Sequence, residues 1–393
     1  VNLTYYVRNP FTPDAYFDFE AFEKNVQLFA RMLDNVVEIN GLPLEEQRDE
    51  IHRKRRHGMG YLGLGSAMIM LGVRYGSDAS VNLTDKITRA LAINNFRTGL
   101  DLAKKRGAAP VFSEDFVVTE ELTARNESLR LAVEHGKVQL GETIKGSKLF
   151  VMSSYFKDWW NDEELADLLR EISVHGSRFS HATSIAPTGT LALSFGNNAS
   201  NGIEPSFSHF YLRNVIVTGE KTKVQKSVYS YEYMLYRELY ASGALTDGKI
   251  IIDPIDDDKL LAELRERPEW GAADDIDPFD HVKVQAAAQK WIDSSISKTI
   301  NVPTDYSFEQ FQDIYMAAYD SGLKGCTTFR FNPEAFQGVL VKKEDLDATE
   351  YEFTTEDGQT FRLRGSDNVE YDGNVATAAN LFEALKEGYY GKF

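Results

Sequence analysis

Residues 178–207 contain the densest set of side chains and backbone groups that could do chemistry. Within it, Ser184, Ala186, Pro187, Thr188, Gly189, Thr190 and Leu191 form a break between two regular elements. Residues 179–185 alternate small polar with larger side chains, the pattern of a strand. Pro187 and Gly189 supply a turn, and either Thr188 or Thr190 can cap a helix beginning at the apolar run 191–195. A strand, a turn with hydroxyls and a helix start aim backbone N–H groups at one point, which favours an anion such as phosphate. The Lys of a Walker A loop is absent, so the local chemistry leaves two readings open: a phosphate cradle or an ordinary strand-to-helix turn. Residues 196–202 are polar and Gly-rich, unlike core, and Ile203-Glu204-Pro205 then imposes an extended exit. Asn201 and Glu204 are therefore expected in a pocket wall.

Other candidate chemistry is excluded or reduced. The single cysteine, Cys326, rules out a disulfide or a Cys-based zinc site within this chain, fits a reducing cytoplasm, and is expected to be a structural thiol. None of the seven histidines pairs with another at helical ligand spacing, so no metal site is expected. Residues 58–63 match G-x-G-x-x-G, but Arg55-Arg56-His57 precedes them where a dinucleotide fold needs a buried apolar strand. Close backbone packing is the expected role of these glycines. The formal net charge of −17 argues against nucleic acid as partner, and the basic cluster 53–56 reads as a solvated face. The longest apolar run, 63–73, is too short to span a bilayer. No signal peptide is visible, and the opening Val reads as a truncated or processed N-terminus.

The elements expected to position the turn follow from periodicity. Residues 1–7 read as a strand. Phe22, Val26, Phe29, Leu33 and Val36 mark an amphipathic helix behind an Asp18 cap. Helices are expected over 44–56, over 84–106 ending at Gly107, over 165–172, over a tyrosine-rich 223–240 and over 281–295. Residues 253–280 read as an acidic surface excursion. A strand over 296–302 is followed by a Ser307–Gln310 capping box, a helix with Phe308, Phe311, Ile314, Tyr315 and Ala318 on its buried face, and a strand over 324–331. Strands alternating with helices give an α/β fold with largely parallel pairing. A hairpin around Asp357-Gly358 and a closing helix over 376–387 complete a small C-terminal module.

Taken together, residues 184–190, 201–205, 58–63, 290–297 and 322–329 resemble the catalytic chain of a ribonucleotide reductase, closest to the adenosylcobalamin-dependent class II enzymes. The resemblance covers residues 1–393. It implies a ten-stranded α/β barrel, with residues 1–336 supplying its second half and 337–393 an appended hairpin-helix module. It implies that the 184–191 turn holds the phosphates of a ribonucleotide, in a ribonucleoside-diphosphate reductase using adenosylcobalamin. Thr327 and Thr328 occupy the places where class I enzymes carry a radical-relaying tyrosine pair, and they would border the cofactor. The family's Asn-x-Cys-x-Glu loop and redox cysteine pair are absent here. The radical Cys, Asn and Glu are therefore expected on an N-terminal part upstream of this chain, leaving no catalytic residue within it. The resemblance further implies an external dithiol such as thioredoxin, a cytoplasmic location and a homodimer as candidate assembly. Two alternatives stand: a non-catalytic nucleotide-binding half of a split reductase, and a fragment of a class I large subunit.

Overall fold

A computed structural model describes residues 1–195, 197–215, 224–246, 248–330, 340–341, 343–354 and 358–387. The fold is α/β, with helices gathered around several small sheets. Five extended segments run side by side in one direction: 1–3, 59–62, 183–185, 296–302 and 327–330. Parallel bridges join Asn2 to Leu62, Met59 to Thr183 and Ile185 to Ile296, and a parallel ladder joins Thr299–Val302 to Thr327–Arg330. The helix Phe308–Asp320 makes the crossover between the last two, the connection a parallel pair requires.

One face of this array is apolar and covered. Ile185 and Ile296 share a core with Leu91 of the helix Asp78–Arg106 and with Val284 and Ala288 of the helix Pro278–Gln289. Asp78–Arg106 is buried at every position from Ala90 to Phe96, so it is central and not amphipathic. Its polar side chains turn back on the helix, since Thr84, Thr88, Asn94 and Asn95 each donate to a carbonyl one turn back. The other face of the array is small and polar. Gly58, Ser295, Ser297 and Thr327 are exposed, and Gly60, Ser184 and Thr299 are half-buried.

Most helices stand where the periodicity places them. Asp18 caps Phe19–Glu38 through the N–H of Ala21, and Ser307 with Gln310 closes the expected capping box. Several expectations are corrected. The opening residues form a single bridge at Asn2 and a short 3-10 turn, Leu3–Tyr6, before the two-residue strand Val7–Arg8. Residues 224–229 are a strand paired antiparallel with Phe210–Val215, and the tyrosine helix is only Tyr231–Ala241. Residues 216–223 lie outside the described ones. The acidic 253–280 stretch is not a surface excursion. Its helix Asp257–Arg265 buries Leu260, Leu261 and Leu264, and Trp270 is buried against Tyr236. The leucines recur on one helical face, and Asp257 on that same side is satisfied by the Tyr233 hydroxyl and by Arg237 Nε. Phe308 is 74% exposed and Tyr315 is also exposed; Ile314 and Ala318 alone are fully buried on that helix.

The 336/337 boundary lies outside the described residues. Leu340–Val341 pairs with the strand Phe210–Val215, so those two residues join the preceding sheet. Beyond them, Glu350–Thr354 pairs with Thr360–Arg364, and a second hairpin, Asn368–Tyr371 with Asn374–Thr377, precedes the helix Ala378–Glu387.

Candidate functional site

Residues 179–185 are extended between two neighbours. On one side the N–H of Met59 donates to the Ala182 carbonyl and that of Ser184 to the Met59 carbonyl; on the other, the N–H of Ile185 donates to Ser295 and that of Ser297 to Ile185. Asp293 completes the second edge with its side chain. Its carboxylate accepts from the N–H groups of Ala182 at 2.8 Å and Thr183 at 2.9 Å and from the Thr183 hydroxyl. The glycines at 58 and 60 are not a phosphate loop. A Cβ on Gly60 would stand 2.0 Å from the Ser184 carbonyl oxygen, so the residue lets one backbone lie against another.

After Ile185 the chain leaves the array and turns. Ala186, Pro187, Thr190 and Leu191 are exposed, and Thr188 and Gly189 half-buried. The helix Gly189–Phe195 follows. Among the described residues, none accepts a hydrogen bond from the backbone N–H of Ala186, Thr188, Gly189, Thr190 or Leu191, as the first turn of a helix requires. Thr188 has φ of 56°, a left-handed conformation that costs a β-branched residue about 1–3 kcal/mol. Two bonds hold it there: its hydroxyl accepts from the N–H of Gly202 at 2.9 Å, and its carbonyl from the N–H of Ala192 at 2.7 Å.

The polar loop behind the turn is more buried than its composition suggests. Ala199, Ser200, Gly202, Ile203 and Pro205 are all buried. Their backbone groups find partners: Ser200 exchanges bonds with Ser66, the Ile203 carbonyl accepts from the Tyr75 hydroxyl, and the N–H of Glu204 donates to the Asn201 carbonyl. Glu232, wholly buried, accepts from the hydroxyls of Ser66 and Ser206 and contacts His209 at 3.0 Å. Burial disfavours its charge, but those partners prevail and hold its carboxyl down at about 2.

Asn201 and Glu204 differ in their placement. Asn201 stands beside the turn, its Nδ2 4.0 Å from where a Cβ on Gly189 would lie. Glu204 faces inward: one carboxylate oxygen accepts from the N–H of Thr299 at 2.6 Å and the other pairs with Lys298. Lys298 is fully buried. Its ammonium also contacts His281 Nδ1 at 2.7 Å and donates to the Thr299 carbonyl at 2.5 Å. Burial and the charge of Lys298 push His281 down to about 2. The ring is therefore neutral, with Nε2 donating toward the Ala273 carbonyl. Lys298 and His281 were not singled out by sequence reasoning. The signal was present: Ile296, Lys298, Ile300 and Val302 share one strand face, and a lysine in an apolar register needs a buried partner.

Thr327 and Thr328 are not brought together. Adjacent strand residues point to opposite faces. Thr327 is exposed on the small polar face, in register with Thr299. Thr328 turns toward the helix Phe308–Asp320, its Oγ1 3.1 Å from the Tyr315 hydroxyl. Cys326 is free and half-buried, and burial raises its thiol pKa.

Residues 1–329 match the family described as the ribonucleotide reductase barrel domain. The chain belongs to the ribonucleotide reductase family. Relatives of this chain include a vitamin B12-dependent ribonucleotide reductase of Streptomyces coelicolor, 25% identical over 360 residues, covering 91% of this chain and 36% of the relative. A vitamin B12-dependent ribonucleoside-diphosphate reductase of Thermoplasma acidophilum is 24% identical over 330 residues, 81% of this chain and 34% of the relative. A ribonucleoside-diphosphate reductase subunit alpha of Chlamydia trachomatis is 25% identical, over 84% of this chain and 29% of the relative. The chain thus spans about a third of the length of these relatives. No helix among its described residues is long and apolar enough to cross a membrane.

Proposed function

We propose that this chain is the substrate-phosphate-binding portion of an adenosylcobalamin-dependent ribonucleoside-diphosphate reductase. The observation that carries the reading is the cluster of unbonded N–H groups from Ala186 to Leu191, at the end of a parallel segment and beside Asn201. Such a cluster suits the oxygens of a diphosphate. Ser184 precedes it on the small polar face. Nothing in the turn can abstract a hydrogen atom or form a disulfide, so the chain's part is to bind and orient. The thiyl-radical cysteine, with its Asn and Glu, would lie on an N-terminal part outside this chain. Parallel arrays are normally covered on both faces. The small polar face is therefore assigned to enclosure by that missing half of a ten-stranded barrel, with residues 1–336 as this chain's share and 337–393 as an appended module.

Thr327, small and exposed on that face, would border adenosylcobalamin. A Cβ on the exposed Gly325 beside it would meet nothing within 4 Å, so no side chain blocks the face there. When bound, the cofactor supplies a radical by homolysis of its cobalt–carbon bond. Electrons for reduction would come from an external dithiol such as thioredoxin, in the cytoplasm. The Chlamydia relative, named without vitamin B12, favours a second reading as part of a class I large subunit.

The test is calorimetric titration of the chain with ADP and with adenosine. Binding of ADP but not adenosine, lost in Gly189→Val, supports the phosphate reading. Equal binding of the two, or none of either, overturns it. A Cβ on Gly189 meets nothing nearer than Asn201 Nδ2, so this variant should fold normally.

A further inference from the structure

The strained Thr188 is held through its carbonyl by Ala192 of the helix that follows it and through its side chain from outside that helix. The outside partner is Gly202, in a loop that another part of the chain fixes from behind. Gly202 itself has φ of 50°, and a Cβ on it would stand 2.6 Å from the Ala186 carbonyl oxygen, so turn and loop lie in contact. Two residues on, Glu204 spans from this loop to the extended segment 296–302, bonding the N–H of Thr299 and the ammonium of Lys298. The Lys298 ammonium has three partners, namely Glu204, His281 Nδ1 and the Thr299 carbonyl. All three of its protons are accounted for. An ammonium this buried is costly unless paired, and the pairing it finds is directed at the loop. Simple adhesion of a helix to the sheet would be served as well by an apolar side chain, as at Ile296 and Ile300 on the same face.

We propose that Lys298 is a positioning residue for the phosphate turn: through Glu204 it fixes the 201–204 loop, whose Gly202 N–H holds Thr188 in its left-handed conformation. The route is contiguous, from Lys298 to Glu204, to the Asn201 carbonyl through the Glu204 N–H, to Gly202 and to the Thr188 hydroxyl. His281 acts one step further back. Its neutral Nδ1 accepts from Lys298 and orients the ammonium.

The consequence for ligand affinity rests on the phosphate-turn reading; the consequence for the turn's conformation does not, and the two are read separately. The first readout is hydrogen–deuterium exchange at Ala192 and Gly202, whose amides both bond Thr188, with peptides from Asp78–Arg106 as the internal control. The second is calorimetric affinity for ADP. Lys298→Met keeps the stem and removes the ammonium, and Glu204→Gln, near-isosteric, serves if Lys298→Met does not fold. Either should speed exchange at Ala192 and Gly202 by about tenfold while the control helix is unchanged, and weaken ADP by a similar factor. Thr188→Val should reproduce the loss of affinity, with Thr188→Ser recovering most of it because the hydroxyl returns. Combining Glu204→Gln with Thr188→Val should add nothing further, since both cut one route. Unchanged exchange at the two amides, acceleration shared equally by the control helix, or additive losses in the double variant would overturn the positioning role. If the unmodified chain binds no ADP, the phosphate reading falls while the exchange measurement still decides whether Lys298 sets the turn.

Discussion

At Gly60 there is room for a hydrogen and nothing larger, because the Ser184 carbonyl oxygen occupies the place of a Cβ at 2.0 Å. Neither partner can step aside, since Ser184 is tied by its N–H to Met59. Gly60→Ala is expected to cost about 1–3 kcal/mol of stability, the usual range for overpacking, measured as a shift in the urea midpoint. Gly189→Val makes the opposite case. It meets open space, and its stability should stay within about 0.5 kcal/mol of the parent while ADP affinity falls. His281 contributes to the pH dependence together with His57, whose ring burial pushes down to about 4. The folded pKa of His281, about 2, lies below the ordinary 6.5, so its contribution is complete above pH 6.5 and is lost as the solution is acidified. Between pH 6.5 and pH 5 the loss amounts to about 2 kcal/mol. His281→Gln keeps an acceptor for Lys298 and a donor for Ala273 without a titrating proton. Urea titrations at pH 7 and pH 5 should show a smaller acid loss in that variant.

Between elements, the buried charges act as joints. Asp34, on the helix Phe19–Glu38, accepts from Arg55 Nε at 2.9 Å and Nη2 at 2.7 Å and from Arg178 Nε at 3.1 Å. Arg55 ends the helix Glu45–Lys54 in a left-handed conformation, with φ of 49°. Arg178 opens the segment that leads to the turn at 186–191. One carboxylate thus fixes where two chain segments enter the parallel array. Asp34→Ala would leave Arg55, only 5% exposed at its side chain, with Glu38 as its remaining carboxylate partner. It is expected to cost about 1–3 kcal/mol, the usual range for losing a charged hydrogen-bond partner of a buried group, checked by chemical denaturation. Exposed pairs such as Lys24 with Glu20 should contribute little, because water and salt screen them.

For the whole molecule, the asymmetry of the parallel array matters most. Its covered face is packed with Ile185, Ile296 and Ile300, while the other carries glycines, serines and threonines. A closed barrel would enclose the second face with substrate and cofactor, so reduction should need the residues that complete it. The chain by itself, given ribonucleoside diphosphate, adenosylcobalamin and a dithiol, is expected to yield no deoxyribonucleotide. Joined to the N-terminal part of a related reductase, it should do so with adenosylcobalamin and without a metal-containing second subunit. Product that depends on such a subunit and ignores cobalamin would favour the class I reading.

Much of this was legible in one dimension, and for a physical reason. Helix ends, capping residues and the parallel order of strands depend on local spacing, so Asp18, Ser307 and Gly107 mark boundaries that the structure keeps. The turn at 186–191 was legible too, because Pro, Gly and Thr restrict the backbone wherever they occur. Partnership across the chain was not. Tyrosines at 229–240 have a strand-like start that only its pairing with Phe210–Val215 reveals. The polar loop 199–205 reads as surface, yet it is buried because Ser66, Tyr75 and Lys298 arrive from distant segments to satisfy it. Thr327 and Thr328 read as one site, and the pleat of their strand sends them to opposite faces. Local sequence sets what each segment can become, whereas the burial of a polar group depends on which distant group comes to meet it.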